Sequence, residues 1–309
     1  MRSSADSAGA ELRIVCGPTA AGKSAIAMAL AERHGLTIVS ADSRQLYRGF
    51  DIGTAKPSAA DQSRVPHRGI DVADPSERWS AARWSHDATR WIDDAGAAKA
   101  LVVGGTGFYL RALVAPLFET PPLDAAARAA LEPRLAALPL DALRRWCAEL
   151  DPPLAHLGRT QLLRAIEVAL LTGRRLSDLQ RERARPPRFR ARWLLIDPGP
   201  ALASHIERRL DAMLAAGWPD EVRALIPRVA AGAVAWNACG YAAVRDFVEG
   251  RIGAADAREA ILVGTRQYAK RQRTWFRHQL AGQRVTRLDP ADPGALALAE
   301  SWWNAGEDA

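Results

Sequence analysis

One short segment constrains the fold of this chain more than any other feature. Residues 17–24 read GPTAAGKS, which matches the phosphate-binding loop pattern G-x-x-x-x-G-K-[ST]. The segment follows an apolar run at 11–17 that is typical of a buried strand, and it precedes helical spacing over 23–34 that ends at Gly35. Because the pattern requires this strand–loop–helix context, we predict a site for a diphosphate or triphosphate rather than an ordinary glycine turn.

The chemistry of this loop lies in its backbone and in two side chains. Glycines let backbone N–H groups converge on phosphate oxygens, and the N-terminus of the following helix adds a positive dipole end. Lys23 supplies a point charge, and the Ser24 hydroxyl is a candidate ligand for Mg²⁺. The predicted phosphate-binding residues are Gly17, Pro18, Thr19, Ala20, Ala21, Gly22, Lys23 and Ser24.

Three further apolar runs predict buried strands, at 36–42, 99–105 and 193–200. A strand, a tight loop, a helix and a second strand form a βαβ unit, which implies a parallel sheet. Parallel strands are buried on both faces, so helices are expected to cover both. The predicted fold is α/β: a P-loop NTPase-like parallel sheet with helices on both faces, plus a helical insertion domain.

The predicted insertion occupies residues 121–190, where almost all residues are helix formers. Proline-containing segments at 121–123 and 185–189 bracket it. The α/β core would then comprise residues 11–120 and 191–309, with helices filling its C-terminal part. The first ten residues lack the apolar core of a secretory signal, and we expect them to form a loose end.

Composition excludes several classes of protein. Hydrophobic residues make up 48% of the chain, enough for a sizeable core, yet no stretch of 18 uncharged apolar residues predicts a membrane span. Cys16, Cys147 and Cys239 lie too far apart for a disulfide framework or a zinc site. We therefore expect a cytoplasmic protein without membrane contact or zinc, and we expect it to be a monomer.

The positive charge is concentrated in two segments. The net charge of the chain is +7, but residues 174–192 carry +6 and residues 266–277 carry +5, which leaves about −4 for the remainder. Two basic patches on a mildly acidic body suggest a polyanionic partner such as nucleic acid. Two solvated arginine-rich faces would explain the same charges.

Polar residues follow two other predicted strands. Asp42 ends the second strand, and Thr106 follows the third at Gly104-Gly105-Thr106, where a nucleotide hydrolase would usually place an acid. Carboxyl ends of parallel strands border one crevice, so Asp42 should face the phosphate loop. It could bind Mg²⁺, act as a general base or cap the following segment. The loop 51–57 also adds polar groups there.

Six segments together resemble the tRNA dimethylallyltransferases, also called tRNA isopentenyltransferases. The resemblance spans about 265 residues in the family's order, and its most specific part runs from Asp42 to Pro57. The segments are GPTAAGKS (17–24), SADSRQLYRGFDIGTAKP (40–57), PHRGIDVADP (66–75), VGGTGFYLRAL (103–113), QLLRAIEV (161–168) and TRQYAKRQRTW (265–275).

The resemblance implies a reaction and roles for residues. Such enzymes transfer a dimethylallyl group from dimethylallyl diphosphate to the exocyclic N6 amine of an adenosine beside the tRNA anticodon and release diphosphate. It implies that Asp42 is the general base, that the phosphate loop and Mg²⁺ bind the diphosphate, that Arg223 stabilises the leaving group, and that Thr106 lies at the mouth of the reaction channel.

The resemblance also implies the surface that contacts tRNA, whose target base must be turned out of the anticodon loop. Within the helix at 161–165, we expect the outward Gln161 and Arg164 to make the contacts and the leucines to serve the core as well. The implied tRNA-binding residues are Asp42, Ser43, Arg44, Gln45, Thr106, Arg128, Gln161, Leu162, Leu163, Arg164, Ala165, Lys270, Arg271 and Arg273.

Some residues depart from the family's pattern. Ala242 stands where a basic residue often follows Gly240-Tyr241, and Arg44 and Gln45 stand where other side chains are common. A C-terminal zinc finger of eukaryotic members is missing, which favours a bacterial-type enzyme. Three alternatives remain: an adenylate isopentenyltransferase acting on free nucleotides, a P-loop small-molecule kinase, and an RNA-binding regulator with a degenerate site.

Overall fold

A computed structural model of the chain describes residues 9–115, 123–182 and 187–305. Within these ranges the strands form a single six-stranded sheet in the order β3-β2-β4-β1-β5-β6, and every neighbouring pair is parallel. The strands are β1 Ala10–Cys16, β2 Thr37–Ser40, β3 His67–Arg68, β4 Ala100–Gly104, β5 Phe189–Ile196 and β6 Val285–Leu288.

Helices connect the strands of this sheet, and one more follows the last strand. The α-helices are α1 Lys23–His34, α2 Ala59–Arg64, α3 Ala81–Ala95, α4 Gly107–Val114, α5 Ala125–Ala136, α6 Leu140–Leu150, α7 Arg159–Thr172, α8 Leu176–Glu182, α9 Leu202–Ala215, α10 Trp218–Leu225, α11 Tyr241–Val248, α12 Ala254–Gln279 and α13 Ala295–Asn304. The α/β fold predicted from the sequence is confirmed. None of the helices described here has the length and apolar character needed to span a bilayer.

The chain divides into two compact units, one containing Met1–Val114 and Pro187–Ala309 and the other Ala115–Pro186. The sequence-based boundaries fell somewhat later, at 121 and 190. The residues bracketing the predicted insertion at 121–122 and 185–186 lie outside the described ranges, as does most of the expected loose end at the N-terminus. The smaller unit has its own core, in which Leu143, Leu162 and Ile166 are fully buried.

The strand predicted at 193–200 begins earlier, at Phe189. Its first half alternates arginines with apolar residues, so it does not form an apolar run in the sequence. Its register with β1 begins at the pair Ala10↔Phe189. Arg192 is buried on this strand and pairs with Glu11 at 2.9 Å. Part of the basic segment 174–192 is therefore strand rather than surface patch.

Strand order determines which loops can meet. β4 lies between β1 and β2, with Ser40 opposite Val103 and Cys16 opposite Gly104. The three strands end at the same level, so the loops that follow them lie side by side. These loops carry the phosphate-binding segment, Asp42 and Thr106.

Candidate active site

The phosphate-binding loop joins β1 to α1 through strained backbone. Gly17 has φ +144°, and a Cβ there would lie 2.1 Å from the carbonyl oxygen of Ile196, so only glycine fits. Ala20 adopts a left-handed φ of 61° although it carries a side chain. Such strain persists where the surroundings over-determine it, often around ligands. The helix that follows begins at Lys23, as the sequence predicted.

This loop forms one wall of a cavity of about 700 Å³ in the larger unit. Lys23, Ser24 and Asp42 all line it, so the structure brings these predicted residues together. A smaller, adjoining cavity of about 70 Å³ shares Thr19, Ala20 and Asp42 with the first. Its wall is mostly apolar and includes Leu210, Met213 and Trp218. Asp42 thus lies where the larger cavity, which carries the phosphate-binding loop, adjoins the smaller one.

Lys23 is half-buried, and its pKa is shifted. Its Nζ donates to the Pro18 carbonyl oxygen at 2.7 Å. The pKa of Lys23 is lowered to about 8. Burial is the main cause, and the positive Arg209 guanidinium adds to it, while the negative Asp42 partly offsets both effects. An anion bound in this cavity would favour the protonated amine, because opposite charges stabilise each other at close range.

Asp42 does not begin a helix; it sits in a turn. Its Oδ1 accepts a hydrogen bond from the Arg44 backbone N–H at 2.8 Å, which holds the carboxylate in place. The Ser43 backbone N–H donates to Thr106 Oγ1 at 3.0 Å, so Thr106 lies directly beside this turn. Tyr268, which lines both cavities, hydrogen-bonds the Thr106 side chain, and burial raises its pKa so that its hydroxyl stays protonated.

Two arginines that sequence reasoning missed line the larger cavity: Arg208 and Arg209 on α9. Arg209 donates to Thr19 Oγ1 at 3.0 Å, which attaches its guanidinium to the phosphate loop. A signal was present in the sequence, since Arg209 interrupts an apolar stripe formed by Ile206, Leu210 and Met213. A cation on the buried stripe of a helix needs an anionic partner.

Arg223 lies on α10, and its predicted role at the leaving diphosphate stays a prediction. Its guanidinium pairs with Asp220 on the same helix, its side chain is 61% exposed, and it lines neither of these cavities. The Glu221 carboxylate, on the same helix, accepts hydrogen bonds from the backbone N–H groups of Asp51 and Ile52 and so holds that loop in place. Arg209, by contrast, lines both cavities.

Gln272 on α12 links the loops that follow β1 and β4. Its Oε1 accepts from the Thr19 backbone N–H at 2.7 Å, and its Nε2 donates to the Gly105 carbonyl oxygen at 2.8 Å. The side chain is buried, so these bonds hold the spacing between the phosphate loop and the segment leading to Thr106. In the sequence Gln272 stands among charged residues of α12, and nothing there predicts that its side chain links two loops.

Several predicted tRNA-contacting side chains are engaged inside the larger unit. Gln45 donates to the carbonyl oxygens of Thr54 and Ala55 and accepts from Ser40 Oγ, so it organises the adjacent loop. Arg273 makes two hydrogen bonds to the Asp197 carboxylate and a third to the Gly199 carbonyl oxygen. Lys270 and Arg271 are exposed on the same helix. Arg44 lines the smaller cavity.

In the smaller unit the predicted contacts separate into core and surface. Leu162 and Ala165 are fully buried, so their side chains cannot reach RNA. Leu163 is half-buried, and Gln161 is exposed but caps its helix by accepting from the Gly158 N–H. Arg128 and Arg164 both pair with the buried Glu167, which fixes two guanidinium groups side by side.

In the second basic segment, 266–277, Lys270 and Arg271 are exposed, and several arginines of the first segment take part in ion pairs. Arg174 and Arg181 pair with acids in the smaller unit, and Arg188 pairs with Asp93 in the larger unit. Residues 183–186 lie outside the described ranges. In the described ranges no group of three or more histidine, cysteine, aspartate or glutamate side chains could hold a metal ion.

Comparison with known proteins identifies the family. Residues 45–279 match the model of the IPP transferase family, and residues 10–66 match that of the isopentenyl transferases. The tRNA dimethylallyltransferase of Halorhodospira halophila is 46% identical over 289 residues, which cover 89% of this chain and 92% of that protein.

This chain belongs to the IPP transferase family.

Solved structures agree with this membership. The tRNA isopentenylpyrophosphate transferase of Bacillus halodurans is 30% identical, covers 94% of each chain and superposes with a TM-score of 0.66. A eukaryotic dimethylallyltransferase acting on tRNA shares the fold, with a TM-score of 0.77 at 23% identity over 92% of this chain and 75% of its own. The cavities described above therefore lie in the fold of an IPP transferase.

Proposed function

We propose that this protein transfers a dimethylallyl group from dimethylallyl diphosphate to the exocyclic N6 amine of an adenosine beside the anticodon of tRNA, with release of diphosphate. The observation that carries the proposal is the convergence of Lys23, Arg209 and Asp42 on one cavity in an IPP transferase fold. Apolar side chains of the adjoining cavity, Leu210, Met213 and Trp218, lie close to these cations, which suits a substrate with a short hydrocarbon at one end and a diphosphate at the other.

Bond formation and bond cleavage would occur at the junction of the two compartments. The amine nitrogen forms a bond to the allylic carbon, and the carbon–oxygen bond to diphosphate breaks with both electrons leaving on oxygen. The amine proton passes to Asp42, because an adenine amine is a weak nucleophile until a base accepts its proton. The Arg44 N–H holds the Asp42 carboxylate in position.

The leaving diphosphate gathers negative charge as the reaction proceeds. Lys23, Arg209 and the backbone N–H groups of the phosphate loop are fixed in place before it departs, so they stabilise that charge without reorganisation. Arg208, exposed on the same cavity wall, adds a second guanidinium. Thr106 and Tyr268 border the path by which the adenine would enter.

Mg²⁺ is a cofactor that these residues fit. The Ser24 hydroxyl and the Asp42 carboxylate line the same cavity, and oxygen ligands are those that Mg²⁺ prefers. Ser24 would hold the Mg²⁺, which would supply positive charge to the diphosphate when bound.

We also propose a reducing, cytoplasmic location, because the three cysteines are free thiols.

Incubation of the protein with labelled dimethylallyl diphosphate tests this function directly. The acceptor is unmodified tRNA in one arm, AMP in the second and absent in the third. We expect label in tRNA alone, with equimolar diphosphate released. Label in AMP would indicate an enzyme acting on free nucleotides, and turnover of ATP without labelled RNA would indicate a kinase.

The affinity for dimethylallyl diphosphate should fall as the pH rises above about 8. Lys23 is protonated below its pKa of about 8 in the free protein, so binding there needs no proton uptake. At higher pH the Lys23 amine has lost its proton and must take one up when the ligand binds. The dissociation constant should therefore rise, approaching about ten-fold per pH unit. Titration calorimetry between pH 7 and 9.5 measures this, because the ligand's own phosphate ionisations are complete below that range.

Lys23→Arg is the matched control for this pH dependence, since a guanidinium stays charged throughout the range. We expect its dissociation constant to change little between pH 8 and 9.5. Equal pH profiles for the wild type and Lys23→Arg would show that another group carries the proton.

The three cations of α12 predicted to bind tRNA should not all behave alike when they are replaced. Lys270→Ala with Arg271→Ala removes two exposed cations, so the slope of log affinity against log salt should fall by about two. Arg273→Ala instead breaks the ion pair with Asp197 and should lower the unfolding temperature. Filter binding at several salt concentrations and thermal unfolding separate the two effects. An unchanged salt slope in the double variant would exclude this helix face as an RNA surface.

A further inference from the structure

The first turn of α4 exposes an aromatic side chain two residues after Thr106. Phe108 is 53% exposed, and among the large apolar side chains exposed in the described residues it is the one aromatic and the most exposed. The other large apolar residues of this helix, Tyr109, Leu110 and Leu113, are buried. Covering this ring with a partner would remove apolar surface from water, which is favourable.

The position of Phe108 relative to the reaction is fixed by its neighbours. It follows Thr106 by two residues, and Thr106 accepts a hydrogen bond from the Ser43 N–H beside Asp42. Gly107 between them lies flat against the Trp275 ring, where a Cβ would come within 2.3 Å of Cδ2. Trp275 in turn packs edge-on against Phe276. The start of α4 is therefore held firmly while the Phe108 ring projects outward.

Two exposed cations lie on the helices that meet at Gly107. Arg111 lies one helical turn after Phe108 on the same face of α4, is exposed, and has no ion pair or hydrogen bond to the described residues. Arg271 lies one turn before Trp275 on the corresponding face of α12 and is also exposed. An exposed ring with a guanidinium one helical turn away matches an unstacked base and the phosphate beside it.

We propose that Phe108 is a stacking platform for a nucleotide adjacent to the acceptor adenosine, and that Arg111 binds the phosphate beside it. This inference rests on the proposed function, because it takes RNA as the acceptor. Turning the target base out of the loop removes the stacking of its neighbour as well as its own. A ring at the entrance replaces that lost contact, so it stabilises the RNA conformation in which the acceptor amine reaches Asp42.

Four variants of this surface test the proposal with an anticodon stem-loop RNA. Phe108→Ala and Phe108→Leu should each raise the KM for RNA by about ten-fold, because the leucine keeps the apolar bulk but lacks the stacking face. Phe108→Tyr keeps the ring and should match the wild type. Arg111→Ala should lower the salt slope of RNA binding by about one. The KM for dimethylallyl diphosphate should not change in any of them.

A fluorescent base gives a readout that altered folding would not mimic. With 2-aminopurine next to the acceptor position, binding to the wild type and to Phe108→Tyr should leave the fluorescence quenched by stacking. Binding to Phe108→Ala and Phe108→Leu at saturating protein should raise it.

Each result has a definite meaning. Wild-type KM and quenching in Phe108→Ala would overturn the proposal, and so would full rescue by leucine, which would indicate a plain apolar contact such as a protein partner makes. A wild-type enzyme that fails to prenylate any RNA would instead overturn the proposed function.

Discussion

Replacing Asp42 with asparagine is expected to slow prenyl transfer by about 10²–10⁴-fold, the usual contribution of a general base. The asparagine side chain keeps the oxygen that accepts the Arg44 N–H, so the turn should persist. It cannot accept the amine proton at neutral pH. Single-turnover transfer from labelled dimethylallyl diphosphate to tRNA measures the chemical step, and tRNA binding should stay close to that of the wild type.

Two conditions make this experiment decisive. It should be run near pH 7, because the Asp42 charge raises the pKa of Lys23 and its loss would otherwise deprotonate that amine. Asp42→Ala serves as the comparison, since it removes both the base and the turn contact. Parallel losses of transfer and of tRNA affinity in Asp42→Asn, with a lower unfolding temperature, would mean that Asp42 supports the loop rather than the reaction.

Replacing Arg209 with alanine is expected to lower kcat by about 10²–10³-fold, as removal of one preorganised donor to a developing anion does elsewhere. Its guanidinium is attached to Thr19 of the phosphate loop and lies in the cavity with Lys23. The loss should appear in kcat more than in tRNA affinity, because the charge on the leaving diphosphate grows during the reaction. Steady-state kinetics with tRNA and dimethylallyl diphosphate measures both.

Arg223→Ala is the matched control for this prediction, since it removes the same side chain from an exposed ion pair with Asp220. Exposed pairs contribute little to stability, so we expect kcat to change by less than about three-fold. The reverse ranking, a large loss in Arg223→Ala and a small one in Arg209→Ala, would restore the sequence-based assignment and contradict the geometry of the cavity.

Features encoded within a short stretch of chain were predictable. The phosphate loop, the helix beginning at Lys23 and the strand before it follow from glycine spacing and apolar periodicity, which are local properties. The edge strands β3 and β6 were missed, because β3 has only two residues and β6, with the sequence VTRL, has polar residues at its centre and gives no apolar run. The start of β5 was missed because arginines alternate along it.

The roles of individual arginines were the least predictable part. From the sequence, Arg209, Arg223, Arg271 and Arg273 are all basic residues on amphipathic helices. In the structure Arg209 bonds the phosphate loop, Arg223 and Arg273 are held in ion pairs, and Arg271 is exposed. Gln45 and Gln272 also proved to hold loops together through buried or half-buried amides.

The sequence by itself determined that this chain forms a phosphate-binding α/β domain and resembles the tRNA-modifying prenyltransferases, because glycine, lysine and apolar spacing specify a loop and its flanking elements locally. Only the tertiary structure decided which charges meet. The order β2-β4-β1 sets Asp42 and the phosphate loop on either side of Thr106, and the packing of α9 and α12 brings Arg209 and Gln272 onto them. Such contacts join residues far apart in the chain, and charge alone cannot reveal them, since an arginine's partner depends on what folding places beside it.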